Sequence, residues 1–197
     1  MKTRLLLLSI MALAGTVQAY TLEGVKWLPG VVPFYVDLGT QFDSIAGQKL
    51  AEWDKYTGLT HLTRTNDPST NGGTWYSHDG RNAMMWSSAV GITMPNNIMA
   101  WCSLTYDDGI MEEADIVVNV HYTWSSYDEG GIGYDIGRVL LHEIGHAIGL
   151  GHSYNDTIMY PYFSNQHTLS ADDIAGARFL YGQSNMPDNA RPCRFWG

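Results

Sequence analysis

The segment that most constrains this chain is HEIGHAIGLGH, residues 142–152. Residues four apart lie one above the other on a helix, so His142 and His146 would present their imidazoles on one face. Two imidazoles at that spacing can reach a single Zn²⁺ ion. Glu143 follows the first histidine and would lean over the same site, close enough to move the protons of a water there. The segment therefore predicts a helix that carries a metal site.

Gly149 and His152 complete the predicted site. Glycine readily adopts the left-handed conformation that ends a helix, so Gly149 would turn the chain back and present His152 as a third ligand. Three neutral histidines leave the fourth position of a zinc ion open to water, which separates a catalytic site from a closed structural one. We therefore expect one catalytic Zn²⁺ on His142, His146 and His152, with Glu143 as the general base.

Composition and charge limit the kinds of molecule that this chain is expected to bind. The chain has 197 residues, of which 45% are hydrophobic, and this suits one globular domain with a substantial core. The chain contains 11 Lys and Arg residues and 20 Asp and Glu residues, which gives a formal charge of −9. So acidic a surface repels phosphate backbones and anionic membranes, and nucleic acid is therefore not an expected partner.

The first residues have the pattern of a secretory signal. Lys2 and Arg4 form a short basic region, Leu5–Ala14 is apolar, and Val17–Ala19 has the small-x-small form that signal peptidase cuts after. The apolar run is too short to anchor the chain in a bilayer. We expect residues 1–19 to be a signal peptide and the protein to be secreted, outside the cell or into the periplasm of a Gram-negative bacterium.

Periodicity and turn residues predict one mixed domain over residues 20–183, followed by a tail at 184–197. The loop Asn66–Gly80 is rich in Asn, Gly and Ser, and Asp107–Gly109 forms a turn between the last two strands. Strands are predicted at Val31–Asp37, Leu59–Arg64, Asn82–Ser87, Ile98–Thr105 and Ala114–Val120, and helices at Gln41–Tyr56, Asp135–Ile148 and Ser170–Leu180. The fold class is therefore α/β or α+β.

Several motifs together resemble one family of enzymes. The zinc segment, Ser153 after it and then Ile158–Pro161 (IMYP) resemble the zinc site and Met-turn of metzincin endopeptidases, specifically the matrixins, or matrix-metalloproteinase group. Leu169–Ile174, Leu180–Gly182 and the opening Tyr20–Trp27 are also similar to that group. The likeness extends over nearly all of residues 20–182, and it is most specific in the last third.

The resemblance implies the metzincin fold, which is a twisted five-stranded mixed sheet with one antiparallel edge strand, three helices and a Met-turn. Ile98–Thr105 would be the edge strand, along which a peptide lies extended as an added strand. Met159 would pack beneath the metal ligands. The implied activity is that of a monomeric, secreted zinc endopeptidase acting on proteins or peptides, in which the metal acidifies a water and Glu143 takes its proton and returns it to the leaving amine.

The chain also departs from the matrixin pattern. Val117, Asn119 and Tyr122 stand where the family carries ligands of a structural zinc and of calcium, and neither Val117 nor Tyr122 can supply a suitable ligand. Structural zinc and calcium are therefore not expected. The acidic residues near the turn are predicted to be solvated, a weak calcium site being the alternative; they are Asp107, Asp108, Glu112, Glu113 and Asp115. The histidines outside the motif are predicted to be ordinary surface or core residues; they are His61, His78, His121 and His167.

The resemblance also assigns a specificity pocket. Its wall, for the residue after the scissile bond, would be Pro161, Tyr162 and Phe163. Arg138 lies four residues before the first zinc histidine and would point into this pocket and shorten it, as an arginine does in interstitial collagenase. The alternative is that Arg138 reaches solvent or pairs with Asp135.

The ends of the chain carry two further expectations. In active matrixins the first ammonium group pairs with an aspartate of the third helix; here that pair would be Tyr20 and Asp172, or Asp173 if the register shifts by one. The stretch between the signal and the first strand is too short for an inhibitory propeptide. Cys102 and Cys193 are expected to form a disulfide in an oxidising compartment, and a Cys193 thiolate that caps the zinc remains the alternative.

Two other functions compete with the endopeptidase. One is a catalytically inactive metzincin-like module that binds peptides or glycans, and Glu143 argues against it because a binding module has no need of a general base. The other is a metal-stabilised structural protein, which predicts a fourth protein ligand.

Overall fold

The computed structural model describes residues 20–66, 78–126, 132–154 and 156–182. The predicted signal peptide (1–19), the tail (184–197) and most of the loop Asn66–Gly80 lie outside the described residues. Cys193 lies outside them too, so its pairing with Cys102 and its alternative role at the metal both stay predictions.

A five-stranded sheet forms the centre of the fold, with the strand order β3-β2-β4-β6-β5. Its strands are β2 (Gly30–Asp37), β3 (Thr60–Thr65), β4 (Asn82–Trp86), β5 (Ala100–Asp107) and β6 (Ile110–Val118). Neighbours pair in parallel except β5, which runs antiparallel to β6 along the edge. The predicted mixed sheet with one antiparallel edge strand is confirmed.

Three helices flank this sheet: α1 (Thr40–Asp54), α2 (Ile136–Ala147) and α3 (Ala171–Tyr181). The fold also contains two separate pairs of very short strands, which were not predicted from the sequence. β1 (Thr21–Leu22) pairs with β9 (Leu150–Gly151), and β7 (Trp124–Ser125) pairs with β8 (Tyr134–Asp135). Within the described residues, no helix is both long enough and apolar enough to cross a membrane.

The predicted ends of the helices and strands lie within two residues of the observed ends in nearly every case. The exception is β6, which begins at Ile110 rather than Ala114. The hairpin closes as tightly as two residues allow, because Asp108 and Gly109 both take positive φ angles, of 44° and 77°. That backbone twist matches the twist of the strands on either side, so pairing continues up to the turn.

Helix α2 is buried on all sides except at His146. Three aromatic side chains donate hydrogen bonds to its backbone carbonyls. Trp53 Nε1 donates to Leu141 at 2.8 Å, Trp27 Nε1 to Ala147 at 2.8 Å, and the Tyr181 hydroxyl to Ile148 at 2.8 Å. The last two acceptors lie at the C-terminal end of the helix, where carbonyls lack partners within the helix. The helix is therefore fixed in position as well as packed.

Two residues of the acidic turn are not solvated, contrary to the prediction. Glu113 is 2% exposed and Asp115 is 6% exposed. Glu113 Oε2 accepts the backbone N–H groups of Asp79, Gly80 and Arg81, while Asp115 Oδ1 accepts that of Ala83 at 2.9 Å. These two carboxyl groups hold the segment that leads into β4. Asp107, Asp108 and Glu112 are exposed, as predicted.

A first prediction concerns Gly145, the glycine between the two helical histidines. A β-carbon there would overlap the sulfur of the buried Met159 and come within 3.2 Å of the Trp53 ring. We expect Gly145→Ala to lower the free energy of unfolding by about 1–3 kcal/mol through overpacking, measured by urea denaturation. Gly47→Ala in α1 is the matched control, because its β-carbon would meet only the Arg64 side chain at 3.4 Å. Equal stability of both variants would contradict this account.

A second prediction concerns Asp115. Burial, together with the charges of Glu113 and Asp79, raises the pKa of its carboxyl from 3.8 to about 8. The folded chain therefore keeps this proton at pH values where the unfolded chain has released it, so stability falls as the pH rises from about 4 to about 8.

Asp115→Asn should remove this dependence, since an amide can make the same hydrogen bonds as the protonated acid. Denaturation between pH 5 and 8 should show a slope flatter by up to about 1.4 kcal/mol per pH unit than in the parent chain. The exposed Asp107→Asn serves as the control. The same slope in parent and Asp115→Asn would refute the assignment.

Candidate metal centre and substrate cleft

Three histidines converge at the end of α2. His142 and His146 come from the helix, and His152 follows β9. One side-chain nitrogen from each lies within 4.8 Å of the other two. The Nε2 atoms of His142 and His146 are 3.1 Å apart. The arrangement offers three nitrogen donors to one point.

Backbone carbonyls orient two of these rings. His142 Nδ1 lies 2.7 Å from the carbonyl of Ile158, and His146 Nδ1 lies 2.8 Å from that of Leu150. A carbonyl can only accept, so each Nδ1 carries the proton and each Nε2 directs a lone pair into the site. Burial also lowers the pKa of His142 to about 3, which favours its neutral form. Neutral imidazoles with free Nε2 lone pairs fit a cation such as Zn²⁺.

Gly149 directs the chain from the helix to the third histidine. Its φ is +94°, and an added β-carbon would collide with the carbonyl oxygen of Val25. Both the conformation and the close approach therefore require glycine. Beyond it, β9 pairs with β1, and the Ser153 N–H donates to the carbonyl of Met159 at 2.9 Å.

Met159 packs against α2 at Gly145, and Asp173 holds its backbone in place. The methionine is buried and its sulfur packs against Gly145 of α2. The buried Asp173 carboxylate accepts the N–H groups of Ile158 at 2.9 Å, Met159 at 3.2 Å and Ser170 at 2.7 Å. One carboxylate thus joins the start of α3 to the turn beneath the metal site.

Glu143 is buried and has no hydrogen-bond partner among the described residues. Its side chain borders the cleft and is 7% exposed. Within the described part of the chain it makes no hydrogen bond. Burial raises the pKa of Glu143 to about 7, although the charge of Arg138 opposes the rise. A carboxyl group at this position can accept and donate a proton.

The histidines open onto a cleft of about 570 Å³. One wall is formed by residues 97–102 and Leu104, including much of the edge strand β5, and the opposite wall is formed by residues 160–163. Pro161, Tyr162 and Phe163 thus border the cleft, and their role as the wall of a specificity pocket stays a prediction. Tyr122 and Tyr134 also border the cleft, and the Tyr134 ring meets Phe163 edge-on at 5.2 Å.

Arg138 points into this cleft rather than into solvent. It is 3% exposed, and its Nη2 lies 3.4 Å from the carbonyl of Tyr160 and 3.5 Å from that of Tyr162. The alternative pairing with Asp135 does not form, because the Asp135 carboxylate binds His167 Nδ1 at 2.8 Å.

Tyr20 lies beside α3, near Asp172. Its ring centroid is 5.9 Å from that of Phe179, and burial together with the charge of Asp172 raises the pKa of its hydroxyl. The Asp172 carboxylate accepts a hydrogen bond from the Ser153 hydroxyl at 2.7 Å. Asp173, the alternative partner considered for the Tyr20 ammonium, is occupied by the three N–H groups described above.

The residues that depart from the matrixin pattern have structural contacts instead. Val117 is fully buried, and Asn119 Nδ2 donates to the carbonyl of Ile98 at 2.8 Å. The Tyr122 hydroxyl donates to the carbonyl of Asn96. Over the described ranges, the histidine triad is the one group of three or more His, Cys, Asp or Glu side chains close enough together to hold a metal ion.

Two residues near the candidate metal centre were not predicted from the sequence. Glu23 Oε1 lies 3.6 Å from His146 Nδ1, and the Thr21 hydroxyl donates to the carbonyl of His152. Both reach the site because β1 pairs with β9, which lies more than 120 residues away in the chain. Two-residue strands leave no periodic pattern in the sequence from which this pairing could be predicted.

Comparison with known proteins relates this geometry to a family. Residues 77–182 match the model of the matrixin family. The chain is 40% identical over 80 residues to matrix metalloproteinase-25 of Mus musculus, a match that covers 37% of this chain and 13% of that protein. It is 39% identical over 67 residues to matrilysin of Rattus norvegicus, which covers 32% of this chain and 24% of that protein.

The matched segment is thus less than a quarter of the length of either relative. Among solved structures, that of myroilysin is 15% identical and covers 82% of this chain and 98% of its own, with a TM-score of 0.44. Because the matrixin model spans residues 77–182, more than half of the 197 residues, the chain belongs to the matrixin family.

Proposed function

We propose that this chain is a secreted zinc endopeptidase whose catalytic domain is residues 20–183. The observation that carries the proposal is the convergence of three histidine nitrogen donors on an open cleft, beside a buried carboxyl group that makes no hydrogen bond within the described residues. Membership of the matrixin family supports the same conclusion.

The donor set assigns the roles at the centre. When His142, His146 and His152 hold Zn²⁺, the ion supplies Lewis-acid polarisation of the scissile carbonyl and acidifies the attacking water. Glu143 accepts the proton of that water on a carboxylate oxygen and delivers it to the leaving nitrogen. Met159 supports the ligands from below by packing against Gly145.

The edge strand suggests how a peptide is bound. β5 lies at the edge of the sheet and borders the cleft, so its outer backbone groups can pair with an extended substrate. This β-augmentation recognises the peptide backbone, and the pocket at Arg138 then selects side chains. We propose protein or peptide substrates on this basis, cleaved by a monomer.

The N-terminus is proposed to complete the enzyme. Cleavage after Ala19 would create an ammonium group on Tyr20, a residue that already lies against α3 and near Asp172. A pair between that ammonium and Asp172 would make the exported chain active without a second cut. An isolated chain that begins at Tyr20 and stays inactive until trimmed would contradict this.

The competing functions fit the site less well. A peptide- or glycan-binding module has no use for a buried acidic residue such as Glu143 beside the histidines. A structural metal site requires a fourth protein ligand, and the described residues supply a group of three. Both alternatives can be tested through Glu143.

A third prediction therefore concerns Glu143→Ala. Loss of the general base should lower kcat by about 10²–10⁴-fold, while the three histidines still bind zinc. Peptide cleavage and zinc content of the purified proteins are the two measurements. Glu112→Ala is the control, because Glu112 is exposed and lies outside the cleft. Full activity of Glu143→Ala would refute the assigned mechanism.

A fourth prediction concerns the pocket. Arg138 fills space beside Tyr160 and Tyr162, so the parent chain should prefer medium aliphatic residues such as Leu over aromatic ones after the scissile bond. Arg138→Leu should open the pocket and raise cleavage before Phe, Tyr or Trp relative to Leu, within the range of about 1–3 kcal/mol that pocket contacts provide. A peptide library gives the profile, with the exposed Arg81→Leu as control. An unchanged profile would show that Arg138 does not shape the pocket.

A further inference from the structure

The segment Tyr20–Val25, here called the N-terminal strap, runs along the turn that carries the third histidine. Thr21 pairs with Gly151 and Leu22 pairs with Leu150 in the β1–β9 ladder. The Glu23 N–H then donates to the carbonyl of Gly149 at 2.9 Å. Backbone hydrogen bonds thus join the strap to most of the turn between α2 and His152.

Side chains of the strap continue these contacts towards the metal site. The Thr21 hydroxyl donates to the carbonyl of His152, which fixes the backbone of the third ligand. Two residues further along the strap, Glu23 borders the cleft, and its Oε1 lies 3.6 Å from His146 Nδ1. The Glu23 side chain is 43% exposed, and within the described ranges it pairs with no lysine or arginine.

The contact between Glu23 and His146 is electrostatic. The Nδ1–H of His146 already donates to the carbonyl of Leu150 at 2.8 Å, and a separation of 3.6 Å is too long for a second hydrogen bond. What Glu23 adds is a negative charge beside an imidazole whose other nitrogen faces the metal position. A carboxylate placed there makes the imidazole a stronger donor and favours a nearby cation.

We propose that Glu23 is a positioning residue of the metal centre, held by the N-terminal strap against His146 so that its charge strengthens metal binding. The proposal rests on the proposed function only in requiring that the histidine triad bind Zn²⁺. Hydrogen-bonded partners of a metal ligand commonly contribute 10–100-fold to metal affinity, and a partly exposed carboxylate that acts through its charge alone contributes less.

The test is a zinc titration of the metal-free protein against a chromophoric chelator. We expect Glu23→Gln, which keeps the shape and removes the charge, to bind zinc about 3–10-fold more weakly than the parent chain. Glu112→Gln is a closely matched control. The Glu112 side chain is 42% exposed and lies 3.4 Å from His78 Nε2, but it does not border the cleft.

Two further measurements separate positioning from folding. The visible absorption of the cobalt-substituted protein reports the field of the ligands, and it should shift in Glu23→Gln but not in Glu112→Gln. The melting temperature of the metal-free protein should be the same in all three proteins.

The outcomes are distinct. A zinc affinity of Glu23→Gln within twofold of the parent overturns the proposal, as does an equal loss in Glu112→Gln. A weaker affinity with an unshifted cobalt spectrum and a lower metal-free melting temperature also overturns it, since that pattern indicates a purely structural role. Failure of the parent chain to bind zinc would instead overturn the proposed function, and the present proposal with it.

Discussion

The burial of α2 is the constraint on which the site depends. A helix enclosed by the sheet, α1 and the turn at Met159 must carry its functional groups in the interior, where an unsatisfied polar group is costly. Backbone carbonyls offset this cost, because those of Ile158 and Leu150 accept hydrogen bonds from the Nδ1–H groups of His142 and His146. The same hydrogen bonds fix which nitrogen faces the metal position, so satisfying the buried groups also orients the ligands.

The local pattern around α2 was sufficient to predict the triad, because helical spacing and the glycine stop are properties of neighbouring residues. The strand Ile98–Thr105 and the turn at Asp108 and Gly109 followed from equally local signals, whereas the place of this strand at the edge of the sheet was implied by the resemblance to matrixins. The ends of β6 were less accurate, since pairing across the hairpin extends a strand beyond its apolar residues. Elements that rest on periodicity or on turn residues were therefore recoverable from sequence.

What could not be predicted depends on contacts between distant parts of the chain. Glu23 reaches His146 through a two-residue ladder, and Glu113 is buried because three N–H groups of residues 79–81 surround its carboxylate. A run of acidic residues beside a turn is usually solvated, and no feature of the sequence separates Glu113 from the exposed Glu112. Whether each side chain is buried or exposed depends on which residues the tertiary fold places opposite it.

Arg138 connects the shape of the cleft to the electrostatics of Glu143. Its guanidinium lies among the carbonyls that follow Met159, where burial lowers its pKa, yet its charge still acts on Glu143. Burial raises the pKa of Glu143 while Arg138 and His146 oppose that rise, and the result is about 7. The charge of Arg138 therefore opposes the effect that burial has on Glu143. One arginine both borders the proposed specificity pocket and acts electrostatically on the proposed base.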